Sequence, residues 1–586
     1  MARIVTRDLV CSANRTDINV SKPIVRRPPG AAVAALVAAG LSPVLARVYA
    51  ARGIATIAEL DHSYHALPPF ATMKGIDAAA QRLATAIANH ERILIVADYD
   101  ADGATACAVG MRGLAAMGAH VDFIVPNRFE YGYGLTPEIV ALAAQRKPHL
   151  LVTVDNGIAS VDGVAAANAL GIDVLITDHH LPGATLPAAA IIVNPNQPGC
   201  TFPSRHIAGV GVLFYVLLAL RSYLRANGAF EATREPNLGD LIDLVALGTV
   251  ADVVRLDQTN RILVEQGLAR IRAGRAQPGV AALFAVAGRD PRRATAFDLG
   301  FVAGPRLNAA GRLADMSLGI RCLLADTVAE ARPLADALDK LNRERREVEA
   351  VMQDEALADL DRLAGSLVAG SCTICLFRSE WHQGVVGIVA SRLKDRFHRP
   401  TIVFARGVGE ELKGSGRSIA GLHLRDALDL VSKRAPDVIA RFGGHAYAAG
   451  LTIAEADLQR FTDIFEAVVH EQLGGLPPEA HCDSDGVLAP GELTFDLAQA
   501  LRQRVWGQGL PAPVFDDVFD IKASRLVGGK HRRLTLERAG ERFEAILFQH
   551  ADELPPRIRA AFRPDINEWQ GNASLELTIE HWLPSN

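Results

Sequence analysis

Between residues 93 and 193 short apolar runs alternate with helix-like stretches, and this alternation constrains the fold more than any other feature of the chain. The runs are Ile93–Val96, Val121–Val125, Leu150–Val154, Val174–Ile176 and Ile191–Val193, with Ala104–Met117 and Pro137–Ala144 reading as helices between them. Strands that alternate with helices predict parallel pairing, because parallel neighbours need a crossover; the expected fold is a doubly wound α/β domain. Three of the runs stop in chargeable residues. Ile93–Val96 leads into Asp98-Tyr99-Asp100-Ala101-Asp102-Gly103, Leu150–Val154 into Asp155-Asn156-Gly157, and Val174–Ile176 into Thr177-Asp178-His179-His180. An apolar helix from Leu238 to Leu247 ends in Gly248-Thr249-Val250-Ala251-Asp252. Ligands of open α/β sheets gather outside the carboxyl ends of the strands, so these turns are expected to converge on one crevice. Oxygen donors with imidazole added suit Mg²⁺ or Mn²⁺, with histidine favouring Mn²⁺, and bound cations would relieve the repulsion among the acids.

A chain of 586 residues is too long for one core and implies several domains. Residues 1–30 show no periodicity and read as a loose N-terminal arm, and residues 31–328 hold the α/β domain. The Ala-, Leu-, Glu- and Arg-rich stretch 329–365 reads as a linking helix. A second α/β lobe is expected over 366–472, with strands Cys372–Phe377 and Thr401–Phe404 followed by glycine-rich turns. In 473–586 the only long helical run is Phe495–Val505, and short alternating strands (Arg533–Glu537, Phe543–Leu547, Ser574–Ile579) predict a small β-barrel. Seven cysteines in this length argue for a reducing compartment, and the close pair Cys372 and Cys375 reads as core packing. No secretory leader or membrane span is read, so a cytoplasmic location without membrane association is expected. A net charge of −5 gives no global attraction to nucleic acid, so basic residues for such a partner must be gathered locally.

The four chargeable motifs, in this order and context, resemble the DHH phosphoesterase superfamily, and within it the RecJ family of exonucleases specific for single-stranded DNA. The resemblance extends through Gly304-Pro305-Arg306-Leu307-Asn308-Ala309-Ala310-Gly311-Arg312 and Trp381-His382-Gln383-Gly384-Val385-Val386-Gly387. It continues in Gly414-Ser415-Gly416-Arg417-Ser418, Phe442-Gly443-Gly444-His445 and the barrel signature Asn567-Glu568-Trp569-Gln570-Gly571. Ala97 departs from the usual glycine, and the first thirty or so residues have no counterpart.

The resemblance implies a two-lobed enzyme: a DHH domain, a linking helix, a DHH-associated substrate-binding domain and an OB-type barrel. It implies 5′-to-3′ release of 5′-mononucleotides in DNA repair and recombination, with one or two Mn²⁺ or Mg²⁺ ions, two being expected. Asp98, Asp100, Asp102, Asp155, His179 and Asp252 are its candidate ligands, Asp155 the best placed to bridge. His180 is assigned to the scissile phosphate or to orienting a ligand, and Asp178 to support behind the ligands. Ser415 and Arg417, read as part of a glycine-rich turn, and Gly443, Gly444 and His445 are expected at the 5′ phosphate, and His382 at the substrate. Arg306, Asn308 and Arg312 are read as phosphate contacts in a turn opened by Gly-Pro. Asn127, Arg128 and Tyr133 follow the second strand at the edge of the metal site. Arg525, Lys530, His531, Arg532 and Arg533 form a basic stretch suited to a single strand. Single-stranded DNA is the expected partner, with a single-strand-binding protein and a helicase as further candidates. Two other readings compete: a DHH phosphoesterase for very short substrates, against which the barrel weighs, and a non-catalytic scaffold, against which the intact motif residues weigh.

Overall fold

The computed structural model describes residues 22–126, 134–230, 235–363, 371–407, 409–444, 446–475, 480–569 and 572–585. It divides into two compact units, one of residues 24–342 with 483–586, the other chiefly of 343–482. Asn127, Arg128, Tyr133 and His445 lie outside the described residues.

In the larger unit, strands β1 (Arg92–Ala97), β2 (His120–Ile124), β3 (Leu150–Val154), β4 (Asp173–Thr177) and β5 (Ile191–Val193) form a parallel sheet in the order β2-β1-β3-β4-β5. The order reverses after β2, which makes the carboxyl ends of β1 and β3 the topological switch point. Helix α1 (Ala101–Ala116) follows β1, and the apolar helices α2 (Gly209–Ala226) and α3 (Ile242–Ala251) complete the core on one face. α2 has the length and apolarity of a membrane span, yet Val210, Val212, Leu213, Val216, Leu217 and Leu220 are buried in this core. Helix α4 (Gly304–Leu313) follows a π-helical turn, Leu299–Ala303. Gly304-Pro305 thus lies in a helix that continues from the π-helical turn, rather than in the expected turn.

The same unit contains a closed barrel of β11 (Phe515–Val527), β12 (His531–Arg538), β13 (Glu541–Leu547), β14 (Arg557–Trp569) and β15 (Asn572–Pro584), with β11 pairing to both β12 and β14. Leu36, Val44, Leu45 and Tyr49, on helices Val33–Ala38 and Pro43–Ala50, join Phe515, Phe519 and Phe562 in its core. These helices therefore pack with the barrel and not with the parallel sheet. The described part of the expected loose arm is also tied down. Arg26 binds Asp516 at 2.9 Å and Arg27 binds Asp483 at 2.9 Å.

Helix α5 (Val328–Leu363) contributes Ala331, Ala335 and Leu338 to the first unit's core and Met352 and Ala356 to that of the second. The second unit has a mixed sheet: β6 (Ile374–Phe377), β7 (Thr401–Arg406), β8 (Glu411–Arg417), β9 (Arg441–Gly444) and β10 (Ala448–Ala454), in the order β9-β10-β8-β7-β6. Helix α6 (Val386–Phe397) packs its Val389 and Leu393 with Val403 and Ala405 of β7. Gly414-Ser415-Gly416-Arg417 and Gly443-Gly444 were expected in turns; both are strand residues. Gly414 and Gly416 face a crowded core, where a Cβ would come within 2.5 Å of Phe404 and 2.8 Å of Leu424. Glycine there answers to packing, not to turn geometry.

Candidate active site

The first motif bends sharply at the end of β1. Asp98 accepts a hydrogen bond from the Tyr99 N–H at 2.8 Å, and Asp100 caps α1 by accepting from Asp102 N and Gly103 N at 2.9 and 3.0 Å. Gly103 is required, since a Cβ would sit 2.5 Å from the Asp98 carbonyl oxygen. α4 supports this turn from outside. Asn308 Oδ1 accepts from Ala101 N at 2.8 Å, and a Cβ on Gly311 would lie 1.9 Å from the Tyr99 carbonyl oxygen. Arg306 is engaged by Asp339 at 2.8 Å and donates to the Val302 carbonyl at 2.6 Å. Arg312 is half-buried at the end of α4.

Asp102 differs from its neighbours. It is fully buried, and Oδ2 and Oδ1 accept from Gly209 N and Val210 N at 2.7 and 3.0 Å, at the amino end of α2. The close approach depends on Gly209, whose Cβ would fall 2.5 Å from Asp155 Oδ1, and on Gly248, whose Cβ would fall 2.8 Å from Asp102 Oδ1. Burial and then the Asp100 charge push the Asp102 carboxyl up to about 7, although the helix amides oppose this.

Asp155 ends β3 with φ of 62°, a left-handed conformation that costs a non-glycine residue energy and is held by its surroundings. Asn156 fixes the turn by donating to the Val96 and Val154 carbonyls at 3.1 and 3.0 Å. At the end of β4, Asp178 accepts from the backbone N–H groups of Ile158, His179 and His180. Its Oδ1 lies 2.8 Å from His180 Nδ1. Burial would raise the Asp178 carboxyl, but the His180 charge and these bonds outweigh it and bring it to about 2. Burial likewise opposes charge on His180, yet Asp178 and the surrounding acids raise it to about 10. Asn194 and Asn196, after β5, donate to the His180 and His179 carbonyls at 3.0 and 2.6 Å. The sequence reading missed both, though they occupy the carboxyl end of a parallel strand, the position that singled out the acids.

These turns converge. Donor atoms lie within 4.8 Å of one another in three groups: Asp98, Asp100 and Asp155; Asp155, His179 and His180; Asp102, His179 and Asp252. His179 Nε2 is 3.1 Å from Asp155 Oδ1 and 3.4 Å from Asp252 Oδ2. Burial, followed by the Asp102 and Asp100 charges, pushes Asp155 and Asp252 well above the usual carboxylate range. Asp155 Oδ1 is buried and accepts no hydrogen bond among the described residues. A buried crowd of acids with an imidazole, one oxygen left without a donor, is suited to divalent cations: a hard donor set whose mutual repulsion a cation would remove. Asp155 and His179 each belong to two groups, so two adjacent ions sharing these residues fit the donors.

One face of the second unit's sheet presents cationic side chains. On β8 the side chains of Lys413, Ser415 and Arg417 alternate away from the core, and Ser415 is in register with Gly450, and Gly450 with Gly443. The row is floored by glycine. Gly387, near the amino end of α6, lies over it: a Cβ there would meet Ser415 Oγ at 2.7 Å and Arg417 Nη2 at 2.9 Å. Arg417 donates to Ser415 Oγ at 3.2 Å and to the Gly416 carbonyl at 2.8 Å. No carboxylate pairs with it among the described residues, and burial lowers the guanidinium from its usual range. The ladder uses the β8 amides, so side chains and the α6 amino end are what this face offers an anion. Gly444, with φ of 143°, closes against Ala448 and Ala449. His382 is exposed, and its Nδ1 accepts from Gly384 N at 3.1 Å. On the barrel, Arg533 is paired to Glu576 at 2.8 Å and Arg532 donates to the Ala551 carbonyl, while Arg525 and Lys530 are exposed.

Residues 92–249 match the DHH family, N-terminal domain, residues 368–471 the DHHA1 domain and residues 484–581 the RecJ OB domain. The single-stranded-DNA-specific exonuclease RecJ of Salmonella typhimurium is 48% identical over 557 residues, spanning 93% of this chain and 96% of its own. The crystal structure of RecJ from Thermus thermophilus in complex with Mn²⁺ is similar with a TM-score of 0.80 at 30% identity, covering 97% of this chain and 80% of that one. Its complex with Mg²⁺ gives 0.74 at 29% identity, covering 97% and 79%.

Proposed function

The chain belongs to the RecJ family of the DHH superfamily, and from that premise we propose that it is a metal-dependent exonuclease that degrades single-stranded DNA from the 5′ end. The observation that carries this reading is the buried convergence of Asp98, Asp100, Asp155, His179 and Asp252 at the carboxyl ends of the parallel strands. These residues would hold Mn²⁺ or Mg²⁺, and Asp155, which belongs to two of the donor groups, would serve both. When bound, such ions lower the pKa of water and stabilise the attacking and leaving oxygens.

The protein's own residues do the rest. Asp98 and Asp100 are fixed by backbone amides before any ligand arrives, so their orientation costs nothing at the moment of reaction. Asp102 is held by the amino end of α2 and chiefly positions the first motif, adding donor capacity toward His179 and Asp252. Asp178 keeps His180 oriented through its Nδ1, suited to contact the scissile phosphate. Asn308 and Arg306 position the first motif and α4, and Arg312 remains a phosphate contact. A water oxygen attacks phosphorus as the bond to the 3′ oxygen of the terminal nucleotide breaks. That nucleotide leaves as a 5′-mononucleotide, and the shortened strand keeps a 5′ phosphate.

Ser415, Arg417 and the α6 amino end bind the 5′-terminal phosphate, with Gly443 and Gly450 allowing the backbone of the strand to approach closely, and His382 at the same substrate. Arg525 and Lys530 guide the strand along the barrel. The enzyme works in DNA repair and recombination in the cytoplasm, where a single-strand-binding protein and a helicase are the partners that would supply its substrate. Digestion of end-labelled single and double strands with each metal in turn tests the proposal. Mononucleotides released from the 5′ end of single strands alone are expected. Longer products, attack from the 3′ end, or no cleavage with either metal would contradict it.

A further inference from the structure

The two most exposed phenylalanines beside the metal-binding residues have no part in the mechanism above. Phe301 is 71% exposed and Phe297 54% exposed, and their rings stack on each other with centroids 4.8 Å apart and planes 17° from parallel. A lone exposed apolar residue requires no explanation, but a stacked pair facing solvent presents a continuous π surface. The backbone beneath is unusual. Phe301 lies in the π-helical turn Leu299–Ala303, a form concentrated at functional sites. The four-residue spacing places both rings on one side of it.

The turn is fastened to the end of α3, which carries Asp252. A Cβ on Gly300 would lie 3.1 Å from Val250 Cγ1, and one on Gly304 would lie 3.0 Å from the Ala251 Cβ. Val253, next to Asp252, is itself 64% exposed and has φ of 60°, a strained conformation for a β-branched residue. On the other side Arg293, four residues before Phe297, pairs with Glu568 of the barrel strand β14, which Arg502 also binds at 3.3 Å. The segment bearing the rings thus joins a barrel contact at Arg293 to the end of α3 that carries Asp252, all within one unit.

We propose that Phe297 and Phe301 form a stacking platform that holds a base of the single strand beside the helix end bearing Asp252. This rests on the exonuclease reading and adds to it a residue-level grip on the base, where every other assigned contact is to phosphate or metal. Base–aromatic stacking accepts any base, which suits an enzyme that must move through all sequences. The platform also explains why two large apolar side chains are kept in solvent.

The test couples a missing base to a missing ring. Single strands carrying one abasic nucleotide, moved stepwise from the 5′ end, are bound and digested by the full-length enzyme, by Phe301→Leu and by Phe301→Trp. With wild type, one position should show a loss of about five- to hundredfold in binding relative to the intact strand. Phe301→Leu, which keeps apolar bulk, should bind the intact strand more weakly by a similar factor and show no further loss at that position. Phe301→Trp should restore the wild-type pattern. If the losses from Leu and from the abasic site simply multiply, or if Leu reproduces the wild-type profile, the platform does not hold a base and the rings serve another partner. Failure of wild type to digest intact single strands would refute the exonuclease reading instead, so the two outcomes are distinct.

Discussion

The carboxylate crevice and the glycine-floored face of the second sheet are built from opposite charge and the same principle. In the crevice Asp98, Asp100, Asp102, Asp155 and Asp252 crowd together with a single pair of histidines, and burial, then the neighbouring charges, holds the Asp155 and Asp252 carboxyls above the usual range. On the sheet face a half-buried guanidinium, Arg417, has only a hydroxyl and a carbonyl for company. Neither arrangement favours folding, because an uncompensated buried charge is costly. On the proposed function each would be offset by a ligand of the opposite sign, a divalent cation in one place and a phosphate in the other. The difference lies in how charge is fixed. The acids are locked by strand ends, amide bonds and close glycine contacts, whereas Arg417 is positioned by strand alternation and Gly387.

The largest effect should come from the crevice. Asp155→Ala is expected to lower cleavage by at least about a thousandfold, the scale on which groups acting as a unit fail, with single-strand affinity within a few-fold of wild type. Single-turnover digestion beside a binding assay checks both halves; full activity would remove Asp155 from the metal assignment. Arg417→Met comes next, keeping the length of the side chain while deleting its charge. The advantage of a 5′-phosphorylated strand over a 5′-hydroxyl one should fall about ten- to a hundredfold, the range for hydrogen bonds to charged groups. Its melting temperature should stay equal or rise slightly, because a half-buried charge without a carboxylate partner has been removed. A marked loss of stability would mean that Arg417 serves the fold and not the substrate.

The third effect concerns protons. Asp155 and Asp252 have folded-state pKa values raised well above the carboxylate range, so the metal-free protein holds protons that a bound cation must displace. Mn²⁺ affinity should therefore increase with pH, by up to about tenfold per unit for each proton released, until those acids ionise. Calorimetry in two buffers of different ionisation enthalpy counts the protons. A pH-independent affinity with no proton release would contradict the crowded-acid account.

Sequence alone reached the parallel sheet, the barrel and the acids because period-2 and strand–helix patterns are local signals. It misread Gly414-Ser415-Gly416-Arg417 and Gly443-Gly444 as turns, since glycine's local meaning is conformational, while for Gly414 and Gly416 the reason is a core neighbour distant in sequence, Phe404 or Leu424. Arg306 and Asn308 look like phosphate contacts in isolation; only the fold shows Asp339 and the Ala101 amide waiting for them. The amides of Gly209 and Val210 that hold Asp102 carry no side-chain signature at all. Asn194 and Asn196 were legible by the strand-end rule but lack the charge that drew attention to the acids.

If the two charged regions bind different parts of the substrate independently, one binding measurement separates them. Equilibrium affinities of 5′-phosphorylated and 5′-hydroxyl single strands would be compared in Asp155→Ala and in the same variant carrying Arg417→Met. The account predicts that Asp155→Ala keeps the full preference for the 5′ phosphate and that adding Arg417→Met abolishes it. Loss of the preference in Asp155→Ala alone, or its survival in the double variant, would show that the phosphate is read at the carboxylate cluster or elsewhere, and would contradict the division of labour argued from the structure.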